Sequence, residues 1–377
     1  MEQLFFELVQ VALGRRDSLN RNPSEKEWYS LFAICKKQAV VGVAFSALDK
    51  LSKYEQKPPL PLLFQWIAMN EQINKQNRIV NRNAVDLCKT LEDDGFRCCI
   101  LKGQGNNLLY PNPFLRQPGD IDVWTIPIAD GKEIINKVIQ YVKKRYPKAI
   151  AQYHHIEMGG YCGTDVEVHY RPTFMNSLMS NRRLQKWMDN HANEQFVNKR
   201  KLEEVEGTIC IPTWRFNVIF QLSHIYRHII HRGLGLRQII DYYYLLLSDA
   251  GCKMVTPHSD FNLQKEDITK TLKYLGLDKI AGALMWVLHQ KLGLEKEFLI
   301  AAPDKKRGRL LLDEMLTGGN FGQSENRSKW EMNWVGKNVL RLKRDFKLMR
   351  FFPSECLWEP IFRVYHFLWR VKHNQIL

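Results

Sequence analysis

Two aspartates separated by a single residue are the most informative chemical feature of this sequence. Asp120 and Asp122 flank Ile121 within the segment 116–124. Alternate residues of a β-strand face the same side, so these two carboxylates would project together from backbone positions roughly 6.6 to 7 Å apart. Carboxylates held so close repel each other unless a cation lies between them, and Mg²⁺ is commonly held by carboxylates together with phosphate oxygens. The pattern therefore predicts metal-dependent phosphoryl chemistry.

A third carboxylate is available on a later predicted strand. Glu167 lies between Val166 and Val168, so its side chain would face the opposite side from its apolar neighbours. Asp165 is on the same predicted face and remains an alternative, although Glu167 has the better apolar flanks. Three acids on two adjacent strands can hold two Mg²⁺ ions, roughly 3.5 to 4 Å apart, that align an in-line displacement at phosphorus. The third acid would also serve as the base for an incoming hydroxyl group.

A glycine-containing turn upstream of the acids is suited to phosphate binding. Residues 102–105 read Lys-Gly-Gln-Gly, between a predicted strand at 96–101 and a brief predicted helix at 106–110 that prolines stop. The backbone N–H groups at a helix N-terminus attract anions such as phosphate. The residues predicted to bind the nucleotide are Lys102, Gly103, Gln104, Arg116 and Gly119.

Hydrophobic periodicity places the acids in a strand-bearing segment between two helical regions. The segment 24–27 has the form of a helix-capping box. Longer helices are predicted at 62–91, 129–146, 216–230, 236–247, 280–292, 339–351 and 358–371. Strands are predicted at 96–101, 121–125, 149–158 and 164–170, with a turn at Gly159-Gly160 joining the last two. The sequence thus predicts an α+β fold with a helical region at 1–94, a small mixed core at 95–212 and a helical domain at 213–377.

Composition limits the classes of partner and of cellular location. The 377 residues include 55 Lys and Arg against 40 Asp and Glu, a formal charge of +15 that favours nucleotides, nucleic acid or anionic lipid, although solvated basic faces explain it equally well. The 8 cysteines form no Cys-x-x-Cys pair, so we expect reduced, buried thiols instead of a zinc or dithiol site. No signal peptide and no run of about 18 apolar residues is found, so we expect a cytoplasmic protein without a transmembrane segment.

The chain resembles the DNA polymerase beta superfamily of nucleotidyltransferases and, within it, a family of uncharacterised nucleotidyltransferases. The resemblance rests on the Leu-Lys-Gly turn at 101–103, the Arg-x-x-Gly-Asp-Ile-Asp run at 116–122 and the acid-x-His strand at 167–169. The helices after the core, which carry His224, His228, Arg237 and Asp241, are also similar. One departure is visible, because the superfamily favours Gly-Ser where this chain has Gly103-Gln104.

The resemblance implies a polymerase-beta-like core and a specific reaction. The nucleoside monophosphate group of ATP or another NTP would be transferred to an acceptor hydroxyl of a small molecule, a protein or RNA, with release of pyrophosphate. Asp120, Asp122 and Glu167 would bind two Mg²⁺ ions and carry catalysis. The residues implied to line the cleft are His169, His224, His228, Arg237 and Asp241. The acceptor, the base preference and the oligomeric state remain open.

Simpler explanations exist for several of these residues. Gly103-x-Gly105 after a strand would fit a Rossmann unit, but the third glycine position holds Leu108, and no Walker motif is present. The histidines at 224, 228 and 231 share one helical face, yet a further zinc ligand is not evident. Arg237 and Asp241 are also spaced as an ordinary surface ion pair.

Two other classes of function also fit the sequence. One is a non-catalytic nucleotide-binding or interaction protein that retains the fold. The other is a basic nucleic-acid-binding protein, because the C-terminal region is rich in basic and aromatic residues, among them Trp334, Phe346 and Trp369. Those aromatic residues would pack as core, stack on bases or lie on an anionic membrane, and core packing is the favoured interpretation.

Overall fold

The N-terminal region is helical in the structure, a computed structural model that describes residues 1–128, 133–231, 233–249, 252–253, 259–319 and 334–373. Its helices are α1 (Glu2–Ala12), α2 (Glu25–Lys37), α3 (Val41–Ser52) and α4 (Leu60–Asp93). The capping box predicted for α2 is confirmed, because the Ser24 side chain accepts a hydrogen bond from the Glu27 N–H and the Glu27 carboxylate accepts one from the Ser24 N–H. The 34-residue α4 continues directly into the sheet.

A five-stranded mixed sheet follows α4. Its strands are β1 (Phe96–Ile100), β2 (Ile121–Pro127), β3 (Ile150–Ala151), β4 (His155–Tyr161) and β5 (Thr164–His169), in the spatial order β1-β2-β5-β4-β3. The pairing of β2 with β5 is parallel, and the other pairings are antiparallel. Helix α6 (Ile134–Arg145) lies between β2 and β3 in the chain and packs on the sheet, and the four-residue α5 (Gln104–Asn107) follows β1. The α+β class with a small mixed sheet is therefore confirmed.

The reversal between β4 and β5 does not lie at the predicted glycine pair. Gly159 and Gly160 are inside β4, where the register with β5 shifts between Glu157 and Gly159, and the turn is made by Cys162 and Gly163. Both turn residues have positive φ, at 47° and 80°, as a two-residue hairpin turn of the favoured hand requires. The bulge accounts for the glycine at 159, whose φ is also positive. Residues 129–132 of the helix predicted at 129–146 lie outside the described residues.

Helices make up most of the remaining chain. The ordered elements after the sheet are α7 (Leu178–Asn190), α8 (Ala192–Gln195), β6 (Lys199–Arg200), β7 (Ile209–Cys210), α9 (Trp214–His231), α10 (Leu236–Leu246), β8 (Ser248–Asp249), β9 (Cys252–Lys253), α11 (Ser259–Leu275), α12 (Asp278–Leu292), α13 (Lys305–Gly318), α14 (Trp334–Met349) and α15 (Pro353–Lys372). Helix α9 is buried around most of its circumference and contacts α10, α11, α12 and α14. No helix in the described part of the chain is long and apolar enough to cross a membrane.

One large apolar core joins the two helical regions. It extends from Leu4 in α1 to Cys356 in α15, and α1 packs against both α3 and α12. A second core lies between α4, α6 and the sheet and contains Val80, Val123 and Val168. The division of the chain at 94 and 212 stays a prediction. Cys162 is exposed, and the buried cysteines are Cys35, Cys88, Cys98, Cys99, Cys210 and Cys356; these seven are free thiols.

The closest backbone approach near the sheet is made by Gly42 in α3. A β-carbon added at Gly42 would lie 2.3 Å from the carbonyl oxygen of Leu115, just before the segment that carries the aspartates. We expect Gly42→Ala to lower the free energy of unfolding by about 1–3 kcal/mol, because backbone must move to relieve the contact. Urea denaturation checks this, with Gly160→Ala as the control because no atom lies within 4 Å of its added β-carbon. Equal stabilities of the two variants would contradict the prediction.

Candidate active site

The parallel pairing of β2 with β5 places two of the three predicted acids side by side. Asp122 is the direct register partner of Glu167, and Asp122 is buried with 2% of its surface exposed. Ligand atoms of Asp122, Glu167 and His169 all lie within 4.8 Å of one another. Asp165, the alternative third acid, is exposed and pairs with Gly160 near the hairpin tip. The register therefore brings Glu167, and not Asp165, next to Asp122.

Asp120 lies one residue before β2 begins, and it lines one cavity together with Glu167 and a second, smaller cavity together with Asp122. The pKa of Asp120 is raised to about 6, first because the Asp122 carboxylate repels its negative charge and then because the side chain is partly buried. Among the described residues, two sets of three potential metal ligands are compact, Asp122–Glu167–His169 and His154–His155–His169, and Asp120 belongs to neither. The two aspartate carboxylates therefore repel each other, and this repulsion raises the pKa of Asp120.

Two cationic side chains neutralise Asp122. Lys102 Nζ lies 2.8 Å from Asp122 Oδ1, and His169 Nε2 lies 3.0 Å from the same oxygen. His169 Nε2 is also 3.3 Å from Glu167 Oε2, while its Nδ1 faces the carbonyl oxygen of Arg171 at 3.3 Å. Because both ring nitrogens face acceptors, the protonated form of His169 is favoured, and its pKa is raised by Asp122 and Glu167 despite burial. The same contacts hold the pKa of Glu167 below its usual value although burial opposes this.

Lys102 reaches Asp122 because the backbone after Ile100, the last residue of β1, continues alongside β2. The Leu101 N–H donates to the Asp122 carbonyl oxygen at 2.9 Å, which fixes the start of the turn against β2. Gly103 then adopts φ 56° and ψ −112°, a conformation that favours glycine, and its added β-carbon would lie 3.4 Å from the Asp120 carbonyl oxygen. The turn predicted to bind phosphate is therefore adjacent to both aspartates.

Two residues predicted to bind the nucleotide have their side chains in buried contacts. The Gln104 amide points into α4, where it hydrogen bonds to Asn81. The Arg116 guanidinium is 4% exposed and forms two bonds to the Asp241 carboxylate, from Nε at 2.7 Å and from one terminal nitrogen at 2.8 Å. Tyr110 donates to Asp241 as well, at 2.6 Å. The side chains of Gln104 and Arg116 thus brace the turn and the loop before β2.

Arg237 and Asp241 do not form the surface pair that their spacing allows. Both are buried, Asp241 binds Arg116, and Arg237 donates to the carbonyl oxygens of Gln117 at 3.0 Å and Pro118 at 3.3 Å. Gly119 lies against the Arg237 guanidinium, since a β-carbon added at Gly119 would lie 3.6 Å from the nearest guanidinium nitrogen. Helix α10 therefore holds the loop 116–119 through two contacts. Asp241 of the helix binds Arg116 of the loop, and Arg237 of the helix binds carbonyl oxygens of the loop.

A histidine-rich cavity of about 260 Å³ opens from Glu167. His224 and His228 face each other at 2.8 Å, and Lys102 Nζ lies 3.3 Å from His224 Nε2. Arg227 donates to His154 Nε2 and, at 3.3 Å, to His224 Nδ1. The pKa values of His154 and His224 lie well below the usual value, first because both rings are buried and then because these cations are close. His231 instead contacts Asn176 at 3.0 Å, so the three histidines at 224, 228 and 231 do not converge.

The far wall of this cavity comes from the C-terminal helices. Its lining there includes Arg341 and Asp345 from α14 and Glu359, Arg363 and His366 from α15. These residues are not among those predicted from the sequence. A signal was present, because polar residues recur at 359, 363 and 366 with helical spacing in an otherwise apolar segment. His154 and His155, at the start of β4, line the near wall.

Comparison with known proteins identifies the family. A family model described as "Uncharacterised nucleotidyltransferase" matches residues 24–293. The chain belongs to this family. Among solved structures, an antigenic nucleotidyltransferase-like protein from Paracoccidioides brasiliensis matches with 13% identity and a TM-score of 0.31, over 54% of this chain and 93% of that one. No curated protein matches the chain. The three acids lie inside the matched region, whereas α14 and α15 lie outside it.

The Arg116–Asp241 pair offers a test of what holds the acidic loop. We expect Asp241→Asn to lower the free energy of unfolding by about 3–5 kcal/mol, because it leaves the Arg116 guanidinium buried without its counter-charge. The control is Asp267→Asn, which breaks the half-exposed pair with Arg215 at 2.7 Å and should cost less than about 1 kcal/mol. Urea denaturation of both variants at neutral pH measures the difference. A loss below about 1 kcal/mol in Asp241→Asn would contradict this account.

The buried histidines should make stability depend on pH. His224 keeps a pKa well below 6.5 in the folded state, whereas the unfolded chain takes up the proton near 6.5, so the histidine's contribution is lost as pH falls below 6.5. We expect the free energy of unfolding of His224→Gln to fall less steeply between pH 6.5 and pH 5 than that of the wild type, by about 1.4 kcal/mol per pH unit. Urea titrations at several pH values measure both curves, and parallel curves would refute the assignment.

Proposed function

We propose that the protein is a Mg²⁺-dependent nucleotidyltransferase that moves a nucleoside monophosphate group from an NTP to an acceptor hydroxyl. The observation that carries this proposal is the register pairing of Asp122 with Glu167, with Asp120 two residues earlier in the chain and Lys102 in contact with Asp122. Membership of a nucleotidyltransferase family supports the same general reaction.

The acids fit a divalent cation. Carboxylate oxygens are the ligands that Mg²⁺ prefers, and the raised pKa of Asp120 reflects a repulsion that a bound cation would offset. Asp120, Asp122 and Glu167 would hold the metal, with two ions the expected number. When bound, the ions would supply charge neutralisation at the phosphates and alignment of the attacking and leaving oxygens.

The chain's own residues would position the reacting groups. Lys102 would contact a phosphate oxygen beside Asp122, and the backbone of Gly103 would allow the nucleotide to approach the turn closely. The acceptor oxygen would attack the α-phosphorus, a new P–O bond would form, and the α–β bridging bond would break to release pyrophosphate. Glu167, the register partner of Asp122, is the candidate that orients the acceptor hydroxyl and receives its proton. Arg116 and Arg237 would act as positioning residues for the loop 116–119.

The acceptor would occupy the cavity that opens from Glu167. Its volume, about 260 Å³, is slightly below the range of about 300–1,000 Å³ for small-molecule sites, so it suits a small polar molecule or a single protruding group of a larger one. The lining offers imidazole, guanidinium and carboxylate groups, which bind polar substituents. We therefore favour a small hydroxyl compound over an extended RNA or protein surface as the acceptor.

A non-catalytic nucleotide-binding role is the second candidate. It is favoured by the contacts that Lys102 and His169 already make with Asp122, because two cations there reduce the electrostatic attraction for a metal. This role predicts nucleotide binding without turnover, whereas the main proposal predicts both.

Titration of each non-hydrolysable NTP with Mg²⁺ tests the proposal without knowledge of the acceptor. We expect wild-type protein to bind at least one NTP only when Mg²⁺ is present, and Asp122→Ala to lose that binding while keeping its fold by circular dichroism. Turnover in a subsequent acceptor screen should fall at least about a hundredfold in the same variant. Asp165→Ala is the matched control, since it removes an exposed acid from the same strand as Glu167.

Two results would count against the proposal. Absence of NTP binding by the wild type would remove both candidate roles, and equal binding by wild type and Asp122→Ala would remove the metal site. Binding that depends on Mg²⁺ and on Asp122, without transfer to any acceptor in a broad screen, would support the second candidate.

A further inference from the structure

The outer face of α15 carries an uninterrupted apolar stripe. Its residues recur at helical spacing, and each has between 48% and 62% of its surface exposed: Leu357, Ile361, Val364, Leu368 and Val371. Tyr365 and Phe367, at the edges of the stripe, are also exposed. The stripe covers a span of 15 residues, or about 21 Å along the helix. A continuous exposed apolar surface of this length marks an interaction site more often than chance exposure.

Neighbouring α14 extends the apolar surface and adds positive charge to it. Leu342 and Phe346 are exposed one helical turn apart, and α14 packs against α15. Lys343 and Arg350 lie on the same side of α14 as Phe346 by helical spacing, and both are exposed. The exposed side of the two helices therefore combines large apolar side chains with basic ones.

Charge is segregated across these two helices. Within residues 341–373 every exposed charged side chain is basic. The three acids of this range are 3% to 4% exposed: Asp345, Glu355 and Glu359. Each has contacts on the inner side, where Glu355 accepts hydrogen bonds from the N–H groups of Asn176 and Ser177 and Glu359 lies 3.0 Å from Arg363. The outer face therefore presents positive charge that no exposed acid of these helices offsets.

We propose that α14 and α15 dock the protein on the surface of an anionic lipid bilayer. An amphipathic helix with apolar residues on one face and basic residues nearby lies in the plane of the membrane interface, with its apolar face in the acyl boundary. The basic side chains would contact anionic headgroups at the same depth. Peripheral docking of this kind needs no membrane-spanning helix.

A second copy of the chain fits this face less well. A two-fold contact would place the basic residues of α14 in one copy close to the same residues in the other, because an isologous interface pairs a surface with itself. Like charges across an interface oppose association. An anionic bilayer offers both the apolar phase for the stripe and the opposite charge for Lys343 and Arg350.

Vesicle sedimentation with the full chain tests the proposal. We expect binding to vesicles of phosphatidylcholine mixed with phosphatidylglycerol, much weaker binding to phosphatidylcholine alone, and release by 0.5 M salt, a concentration of about three times the physiological level. The double variant Val364→Asp/Leu368→Asp should bind at least about tenfold more weakly, because it places charge in the acyl boundary. The variant Lys343→Glu/Arg350→Glu keeps the stripe and should lose the preference for anionic vesicles.

The control is Phe64→Asp, at an apolar side chain that is 65% exposed on α4. All the substituted side chains are exposed, and circular dichroism with thermal melting verifies folding. Absence of binding to anionic vesicles, equal binding to neutral ones, or an equal loss in the Phe64→Asp control would overturn the proposal. So would a wild-type dimer in light scattering that becomes a monomer in Val364→Asp/Leu368→Asp without any vesicle binding, because a second copy would then be the occupant.

Discussion

A buried ion pair between Arg116 and Asp241 determines where the acidic strand lies relative to the helices. The guanidinium belongs to the loop that enters β2, and the carboxylate belongs to α10, 125 residues later in the chain. Neither group is solvated, so each depends on the other and on Tyr110 and Asn106, which also donate to Asp241. Because Asp120 follows Arg116 by four residues, the pair fixes the position of the first carboxylate. The site is thus a joint product of the sheet and the C-terminal helices.

The electrostatics of the site follow from the close approach of three acids at two neighbouring strands of a small sheet. Register pairing brings Asp122 beside Glu167, and the imidazole ring of His169 lies against both carboxylates. Lys102 adds a second cation at Asp122, while Asp120 is left with the higher pKa. Around this acidic cluster, His154 and His224 are kept neutral by burial and by Arg227. The basic side chains are therefore unevenly distributed in the site, because Lys102 and His169 both contact Asp122.

Features governed by local patterns could be predicted from the sequence. The Asp-x-Asp spacing, the apolar flanks of Glu167 and the capping box at Ser24 depend on neighbours in the chain, and the structure has β2, β5 and α2 there. The hairpin turn at 162–163 was missed because Gly159-Gly160 is the stronger turn signal, and a bulge accounts for it instead. The partners of Arg116 and Gln104 could not be predicted, because they come from α10 and α4 and depend on tertiary packing. The same limit applies to the polar wall of the cavity on α15, which is distant in sequence from the acids.

The position of that wall separates the shape of the cavity from the acids. The family match ends at 293, so Asp120, Asp122 and Glu167 lie inside the matched region, whereas α14 and α15 lie outside it. Substitutions in α14 and α15 would reshape the cavity while the sheet and its acids stayed in place. The two walls of the cavity can therefore change independently of each other.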